Sequence, residues 1–300
     1  MLFGNKEMQE NIQKEIAVCE KELGITVIFG ANVGGISKGL QYKDSDYDTR
    51  FLYIEDDFPE KIRFPEKVAE KEIIYRKYFE DTPYEWIPFW EFSSFMQFLI
   101  NPSIDYKFSA GLYNVVGWTF LSPYSYDPYG IQMKIFPLIQ KLFHKEICIA
   151  YHKKFMESFS LDGETIVAKD YIYALHSALS INWMDKYNEY PPIYMRTLLA
   201  DVPEIYDEVC NAINKFQFEA GEFVNSSSNG KLHDTHYKIM TNHIPVVDDY
   251  LEMTKRKWRH FKESNLTEEE ANRNAIIIKE IYNIVKTSVF SEEKVKGVNC

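Results

Sequence analysis

Apolar residues recur along the chain first at helical spacing and then in short β-branched and aromatic runs. Ile12, Ile16, Ala17, Cys19 and Leu23 form a loose stripe that predicts a helix over residues 6–23, with Gly24 as its stop. The compact run at 25–29 predicts a first strand, and Arg-Phe-Leu-Tyr-Ile at 50–54 a second. Residues 73–78 and 85–90 read as further strands. Pro88, which has no N–H to donate, assigns the latter to a sheet edge or a bulge. A helix over 92–100 ends before Asn101-Pro102, where a helix rarely continues. From Ile135 onward the pattern turns helical, over 136–143, 147–159, 171–187, 203–218, 246–262 and 268–289. The last helix opens on Thr267 and Glu270, a capping box. Residues 226–231, Ser-Ser-Ser-Asn-Gly-Lys, form a loop, and no internal repeat is visible. The pattern predicts an α+β fold, with a small mixed-sheet head over residues 1–130 and a mostly helical half over 131–300.

Between the first two strands runs Val33-Gly34-Gly35-Ile36-Ser37-Lys38-Gly39-Leu40, then Gln41-Tyr42-Lys43-Asp44-Ser45-Asp46-Tyr47-Asp48-Thr49-Arg50. If the second strand begins near Asp46, its period of two puts the Asp46 and Asp48 carboxylates on one face. Two oxygen-rich side chains on one rigid edge suit Mg²⁺, a hard cation held by carboxylates and substrate phosphates, with Mn²⁺ as an alternative. The glycines upstream let backbone approach those phosphates closely.

This run resembles the DNA polymerase beta-like nucleotidyltransferase superfamily, and within it the RNA-ligase-associated predicted nucleotidyltransferase branch. That branch carries Gly-Ser-Arg-Ala-Tyr-Gly-Leu, three residues, then Asp-Ser-Asp-Tyr-Asp-Val-Arg. Gly34, Gly39, Leu40, Asp44, Ser45, Asp46, Tyr47, Asp48 and Arg50 fall on it without a gap. Gly35 stands where serine is usual, and Ile36, Ser37 and Lys38 replace the next three residues. A second resemblance is Lys169-Asp170-Tyr171-Ile172-Tyr173-Ala174-Leu175-His176, with Trp183 and the pair Pro191-Pro192 beyond it. The branch carries Lys-Lys-Tyr-Leu-Tyr-Ala-Leu-Arg there, then Arg-Trp, so His176 and Asn182 stand where arginines are usual. The resemblance spans roughly residues 25–195.

It implies a nucleotidyltransferase head in which Asp46 and Asp48 hold divalent metal, completed by a third acidic residue. Glu85 is the candidate for that third position and Glu91 the runner-up. Gly34 and Gly35 amides, Ser45 and Arg50 would serve the nucleotide. Lys169, Tyr173 and His176, at helical spacings of four and three, would present a cation, a phenol and an imidazole to it. The implied substrate is a nucleoside triphosphate, and the acceptor an RNA end, a protein or a small molecule. The missing serine hydroxyl and the two replaced arginines motivate a rival, a catalytically silent nucleotide-binding or interaction protein that retains the fold.

A formal charge of -11 argues against extended, non-specific DNA binding, which needs a positive footprint. Cys19, Cys148, Cys210 and Cys300 are scattered, with no zinc spacing, which fits reduced thiols and a cytoplasmic location. No apolar run is long enough to predict a membrane span. The cluster Lys255, Arg256, Lys257, Arg259 and His260 reads as a solvated helix face, and His233 and His236 as loop-edge residues.

Overall fold

The computed structural model describes residues 6–41, 48–55, 75–78, 86–100, 117, 119–226, 239–262 and 264–290. The fold is α+β, as the patterning predicts. The chain divides into two compact units that no single cut near residue 130 produces. The first comprises Met1–Gly34, Tyr47–His144 and Asn265–Cys300, the second Gly35–Asp46 and Lys145–Ser264.

In the first unit, helix α1 (Lys6–Leu23) buries Ile12, Ile16 and Cys19, while Ala17 and Leu23 of the expected stripe stay exposed. Gly24, at φ +63°, closes the helix by donating to the Glu20 carbonyl. Strand β1 (Ile25–Asn32) pairs antiparallel with β2 (Thr49–Glu55), with a register shift between Val27 and Phe29. Strands β3 (Tyr75–Tyr78) and β4 (Trp86–Glu91) follow, and helix α3 (Phe92–Ile100) leaves β4 directly. Between β1 and β2 lies the short helix α2 (Gly35–Lys38), which belongs to the second unit. With β5 (Ser125–Tyr126), the strands among the described residues form a mixed sheet in the order β3-β4-β2-β1-β5.

Strand β4 is therefore interior, not the edge that Pro88 suggests. Its parallel ladder with β2 begins only at Phe89, opposite Phe51, while Pro88 itself lies opposite Arg76 in the antiparallel ladder with β3. Phe29 and Phe120 stack with centroids 4.9 Å apart, and Phe92 packs on Tyr282 at 5.2 Å.

Tyr282 belongs to the C-terminal helix, which sequence order places with the helical half. Helix α4 is Gln132–Lys141, and the C-terminal helix, Glu268–Phe290, packs on α3 and α4 of the first unit. It buries Ile277, Ile278, Ile281, Tyr282 and Val285 there. Each such side chain contributes about 1.5–3 kcal/mol, enough to override chain order. Asn274 adds a buried hydrogen bond to the Leu99 carbonyl at 2.9 Å, and Lys134 one to Ser288 at 2.8 Å.

The expected capping box is formed. Glu270 accepts from the Thr267 amide at 2.8 Å, and Thr267 Oγ1 accepts from the Glu270 amide at 3.3 Å. The Thr267 amide and then its hydroxyl, both donating to the Glu270 carboxylate, hold that carboxyl below its usual range. Thr267→Ala is expected to lower stability by about 1 kcal/mol, read as a lower urea midpoint with an unchanged slope.

The second unit is built on helices α5 (Lys145–Ser158) and α6 (Ala168–Tyr187), its most extensively packed pair. Strand β6 (Thr165–Val167) precedes α6, and α7 (Met195–Leu199) and α8 (Tyr206–Ser226) follow it. Strand β7 (Met240–Asn242) pairs with β6 and leads into α9 (Pro245–Trp258); the C-terminal helix is α10. Asn182 donates to Tyr250 Oη at 2.7 Å, tying α6 to α9. Asp185 accepts from both Lys145 and Lys257, which hold its carboxyl below the usual range. Lys255 of the basic cluster donates to the Phe159 carbonyl, while Arg256, Arg259 and His260 are exposed, as a solvated face requires. His233 and His236 lie outside the described residues. Cys19, Cys148 and Cys210 are buried and form no disulfide. Among the described residues no helix is long and apolar enough to cross a membrane.

Candidate functional site

In the first unit the hairpin ladder runs one residue past its strands. Asn32 pairs with Thr49, and the Val33 amide then donates to the Asp48 carbonyl at 2.8 Å. The fully buried Asn32 fixes the turn that follows. Its Oδ1 accepts from the Gly34 amide at 3.1 Å, and its carbonyl accepts from Ser122 Oγ at 2.7 Å. A Cβ at Gly34 would overlap the Asp48 carboxylate and lie 2.7 Å from its Cγ. Only glycine leaves room for Asp48 here, and Asp48 stays partly exposed at the strand mouth.

The Gly34 amide is thus committed to Asn32, which corrects the expectation that it donates to phosphate. The signal was legible: an Asx side chain two residues before a glycine is a turn signature. Arg50 lies on the Asp48 side of the strand by the period of two. Its guanidinium donates to the Thr49 carbonyl at 2.8 Å and rests 5.9 Å from the centroid of the Trp90 ring.

Glu91, the runner-up third carboxylate, is used elsewhere. Its two oxygens accept from the Ser93 and Ser94 amides at 2.8 and 2.6 Å and cap α3, satisfying end amides that have no helical partner. Ser45, Asp46 and Glu85 lie outside the described residues. Among the described residues no three His, Cys, Asp or Glu side chains gather to hold a metal. The donor that is described, a carboxylate in a space held open by a missing Cβ, suits a hard divalent cation.

In the second unit, α2 buries Ile36, Ser37 and Lys38, which with Gly35 depart from the resembling pattern. Gly39, at φ +74°, turns the chain tightly against Tyr194, and Gln217 of α8 donates to the Gly39 and Gln41 carbonyls. Lys38 is only 7% exposed, and its ammonium sits 5.4 Å from the centroid of the Tyr173 ring. A Cβ at Gly35 would stand 3.7 Å from Tyr173 Oη, an ordinary contact.

Lys169, Tyr173 and His176 all lie on α6, but they differ in exposure. Lys169 and Tyr173 are half-buried, whereas His176 is 2% exposed and shares a 2.9 Å hydrogen bond with the Ile193 carbonyl. Burial, and then the Lys38 charge, push its pKa down to about 4. His152 on α5 is driven well below the usual histidine value by burial, His176 and Lys38. His176 is neutral at physiological pH, so the imidazole expected from the helical spacing is an uncharged one, bonded to the Ile193 carbonyl. Sequence reasoning missed Lys38, which it noted only as a departure.

A cavity of about 380 Å³ lies in the same unit, lined by Tyr171, Asn211, Lys215, Phe216 and His243 among others; none of the expected site residues lines it. Beside it Tyr171 Oη donates to Asp248 at 2.6 Å, and the His243 imidazole is held between Asp248 at 2.8 Å and the Gly163 carbonyl at 3.0 Å. The Asp248 hydrogen bond, then that to Gly163, raise the His243 pKa.

A hairpin that delivers an aspartate beside a glycine turn defines the class to which the N-terminal part of this chain is similar. Residues 8–91 match the family model of the RNA repair pathway DNA polymerase beta family, RlaP. The match supports the polymerase beta-like nucleotidyltransferase branch read from the glycine and aspartate spacing. It covers β1, α2, β2 and β4, with Asp46, Asp48 and Glu85, and leaves the Lys169–His176 segment outside. The chain is also similar to the uncharacterized protein YcgL of Bacillus subtilis (strain 168), at 22% identity over 214 residues. That alignment spans 67% of this chain and 74% of YcgL. No solved structure matches the chain significantly.

Proposed function

We propose that this protein is a nucleotidyltransferase that moves a nucleoside monophosphate from a nucleoside triphosphate to a hydroxyl acceptor. The observation that carries the reading is Asp48, set by the β1–β2 ladder against a glycine that alone leaves room for its carboxylate. The similarity of residues 8–91 to an RNA repair pathway polymerase beta family supports it and favours an RNA end as acceptor over a protein or small molecule. Asp48 and Asp46, with Glu85 as third ligand, would hold Mg²⁺, which supplies charge neutralisation on the phosphates when bound.

The acceptor oxygen forms the new bond to the α-phosphorus, the bond to the β-phosphate bridge breaks, and pyrophosphate leaves with the nucleotide's former outer phosphates. The acceptor proton passes to a carboxylate or to water. Asn32 and the Val33 amide fix the turn and hairpin so that Asp48 needs no reorganisation during reaction.

One observation favours the rival, a nucleotide-binding protein without transfer: the Gly34 amide already has its acceptor in Asn32. Incubating the full chain with α-labelled NTPs, Mg²⁺ or Mn²⁺, and total cellular RNA or protein separates the two. The proposal expects label covalently attached to an acceptor, with RNA the favoured class. Nucleotide that binds but leaves no label on any acceptor replaces the proposal with the rival.

A further inference from the structure

The 380 Å³ cavity lies wholly within the second unit and takes no part in the chemistry described above. Its volume falls inside the roughly 300–1,000 Å³ that small-molecule sites occupy. Ala168 and Ile172 of α6, with Ala212 and Phe216 of α8, give it an apolar lining. The opposite wall is locked in place. Tyr171 Oη donates to Asp248 at 2.6 Å and accepts from the Ile244 amide at 3.3 Å, and the Ala168 amide donates to the Ile239 carbonyl at 2.8 Å. These bonds tie residues 239–244 to α6, so little ordering is needed to receive a ligand.

The lining offers groups that bind rather than groups that react. Both His243 nitrogens face acceptors, the Asp248 carboxylate and the Gly163 carbonyl, so the ring has no free nitrogen to act as a base. Lys215 pairs with Glu219 at 3.5 Å and lies between Glu219 and Glu208 along α8. With Asp248, these glutamates outnumber the charges of Lys215 and a protonated His243, a balance that opposes a polyanion. Two carboxamides remain at the cavity, the exposed Asn211 on α8 and Asn242 on β7. Neither side chain has a hydrogen-bond partner among the described residues. A carboxamide carries a donor and an acceptor side by side, the pattern that pairs with the edge of a nucleobase, adenine foremost.

We propose that this cavity is a nucleobase-binding site, in which the apolar lining covers a neutral planar base and Asn211 and Asn242 bind its edge. The site goes beyond the transfer reading and uses none of its residues. Its ligand chemistry, a base with no requirement for phosphate, is supplied by a free nucleoside or by an unpaired base of an RNA strand.

The test is titration calorimetry on the full chain with adenosine, a short single-stranded oligoadenylate and inorganic tripolyphosphate, with urea midpoints of each variant measured alongside. Adenosine is expected to bind if a free nucleoside suffices, and the oligoadenylate alone if an RNA strand is the source. Asn211→Leu and Asn242→Ala each weaken that binding about tenfold or more, the worth of a two-point contact to a base edge. Both positions are exposed, so the midpoints stay near wild type. Ala212→Leu, which narrows the cavity without touching either asparagine, weakens the binding as well. Asp48→Asn leaves it unchanged.

A wild type that binds neither adenosine nor the oligoadenylate overturns the proposal and leaves the transfer reading to its own label assay. Wild-type-like affinity in both asparagine variants also overturns it. Binding abolished by Asp48→Asn would place the base at the hairpin instead, and displacement by tripolyphosphate would assign the cavity to anions; either result overturns the proposal.

Discussion

Gly34→Ala is expected to abolish most nucleotidyl transfer, by about 100-fold or more, and to lower stability by about 1–3 kcal/mol. The added methyl meets not only the Asp48 carboxylate but also its Cβ and Cγ, at 2.5 and 2.7 Å. A change of Asp48 rotamer leaves the Cβ where it is, so backbone must move. Both backbones are anchored, Asp48 by the Val33 amide and Gly34 by Asn32 Oδ1, so the strain falls on the hairpin end that aims the carboxylate. The neighbouring glycine is the control. At Gly35 a Cβ finds only Tyr173 Oη, at 3.7 Å, so Gly35→Ser is expected to fold like the wild type. It would also restore the hydroxyl that the resembling branch carries, and nucleotide affinity should hold or rise. Steady-state transfer and urea unfolding of the two variants measure both effects.

The second large effect is acid sensitivity above the range where carboxylates titrate. His176 is neutral in the fold, with its pKa pushed down to about 4, whereas unfolded it takes up a proton near pH 6.5. Between those values the unfolded state binds more protons, so stability falls as pH falls from about 6.5 toward 4. For His176 alone the loss is roughly 3 kcal/mol. His152, driven down by burial, by His176 and by Lys38, acts in the same direction. His243 works oppositely and in a different window. Its raised pKa contributes stability that is fully present below the ordinary histidine value and is lost as pH rises through the folded one. Asp185 and Asp201, both held low by lysine hydrogen bonds, lose their contributions only as pH falls through their own lower range. Urea midpoints from pH 7.5 to 4.5 are expected to fall steeply. His176→Gln, which keeps a donor for the Ile193 carbonyl and has no proton to take up, should flatten much of that slope. A variant curve parallel to wild type would remove the buried-histidine explanation.

The elements that the sequence announced are those whose signals are local. The stripe Ile12, Ile16 and Cys19, the stop at Gly24 and the box Thr267–Glu270 all depend on residues within a few positions of one another, and all are formed. The glycine-aspartate spacing marked the segment that carries Gly34 and Asp48, but not that the one makes room for the other. What the sequence hid depends on partners far along the chain. Helix α10 follows the helical half in order, yet its apolar face completes the first unit through Leu99, Phe92 and Lys134. Pro88 reads as an edge marker, yet it lies opposite Arg76 in the β3 ladder, and only the β2 ladder begins one residue later.

Two site residues changed meaning for the same reason. Spacing put His176 on the same face as Lys169 and Tyr173, but spacing cannot register that Lys38, more than a hundred residues away, comes to lie beside it. A lysine amid Ile36, Ser37 and Gly39 carries no sequence mark of burial, so its place against the Tyr173 ring emerged only with the fold. Glu91 could have been read as an acidic residue at the start of the 92–100 helix, where free amides need acceptors.

The most direct measurement compares transfer of label from α-labelled NTP by wild type, Asp48→Asn and the Asp46→Asn plus Asp48→Asn double variant, each verified as folded by its urea midpoint. Wild type is expected to label its acceptor, and each variant to fall by roughly 100-fold or more, because the amide keeps the shape of Asp48 and removes the charge. Transfer persisting at the wild-type rate in the double variant would contradict the account.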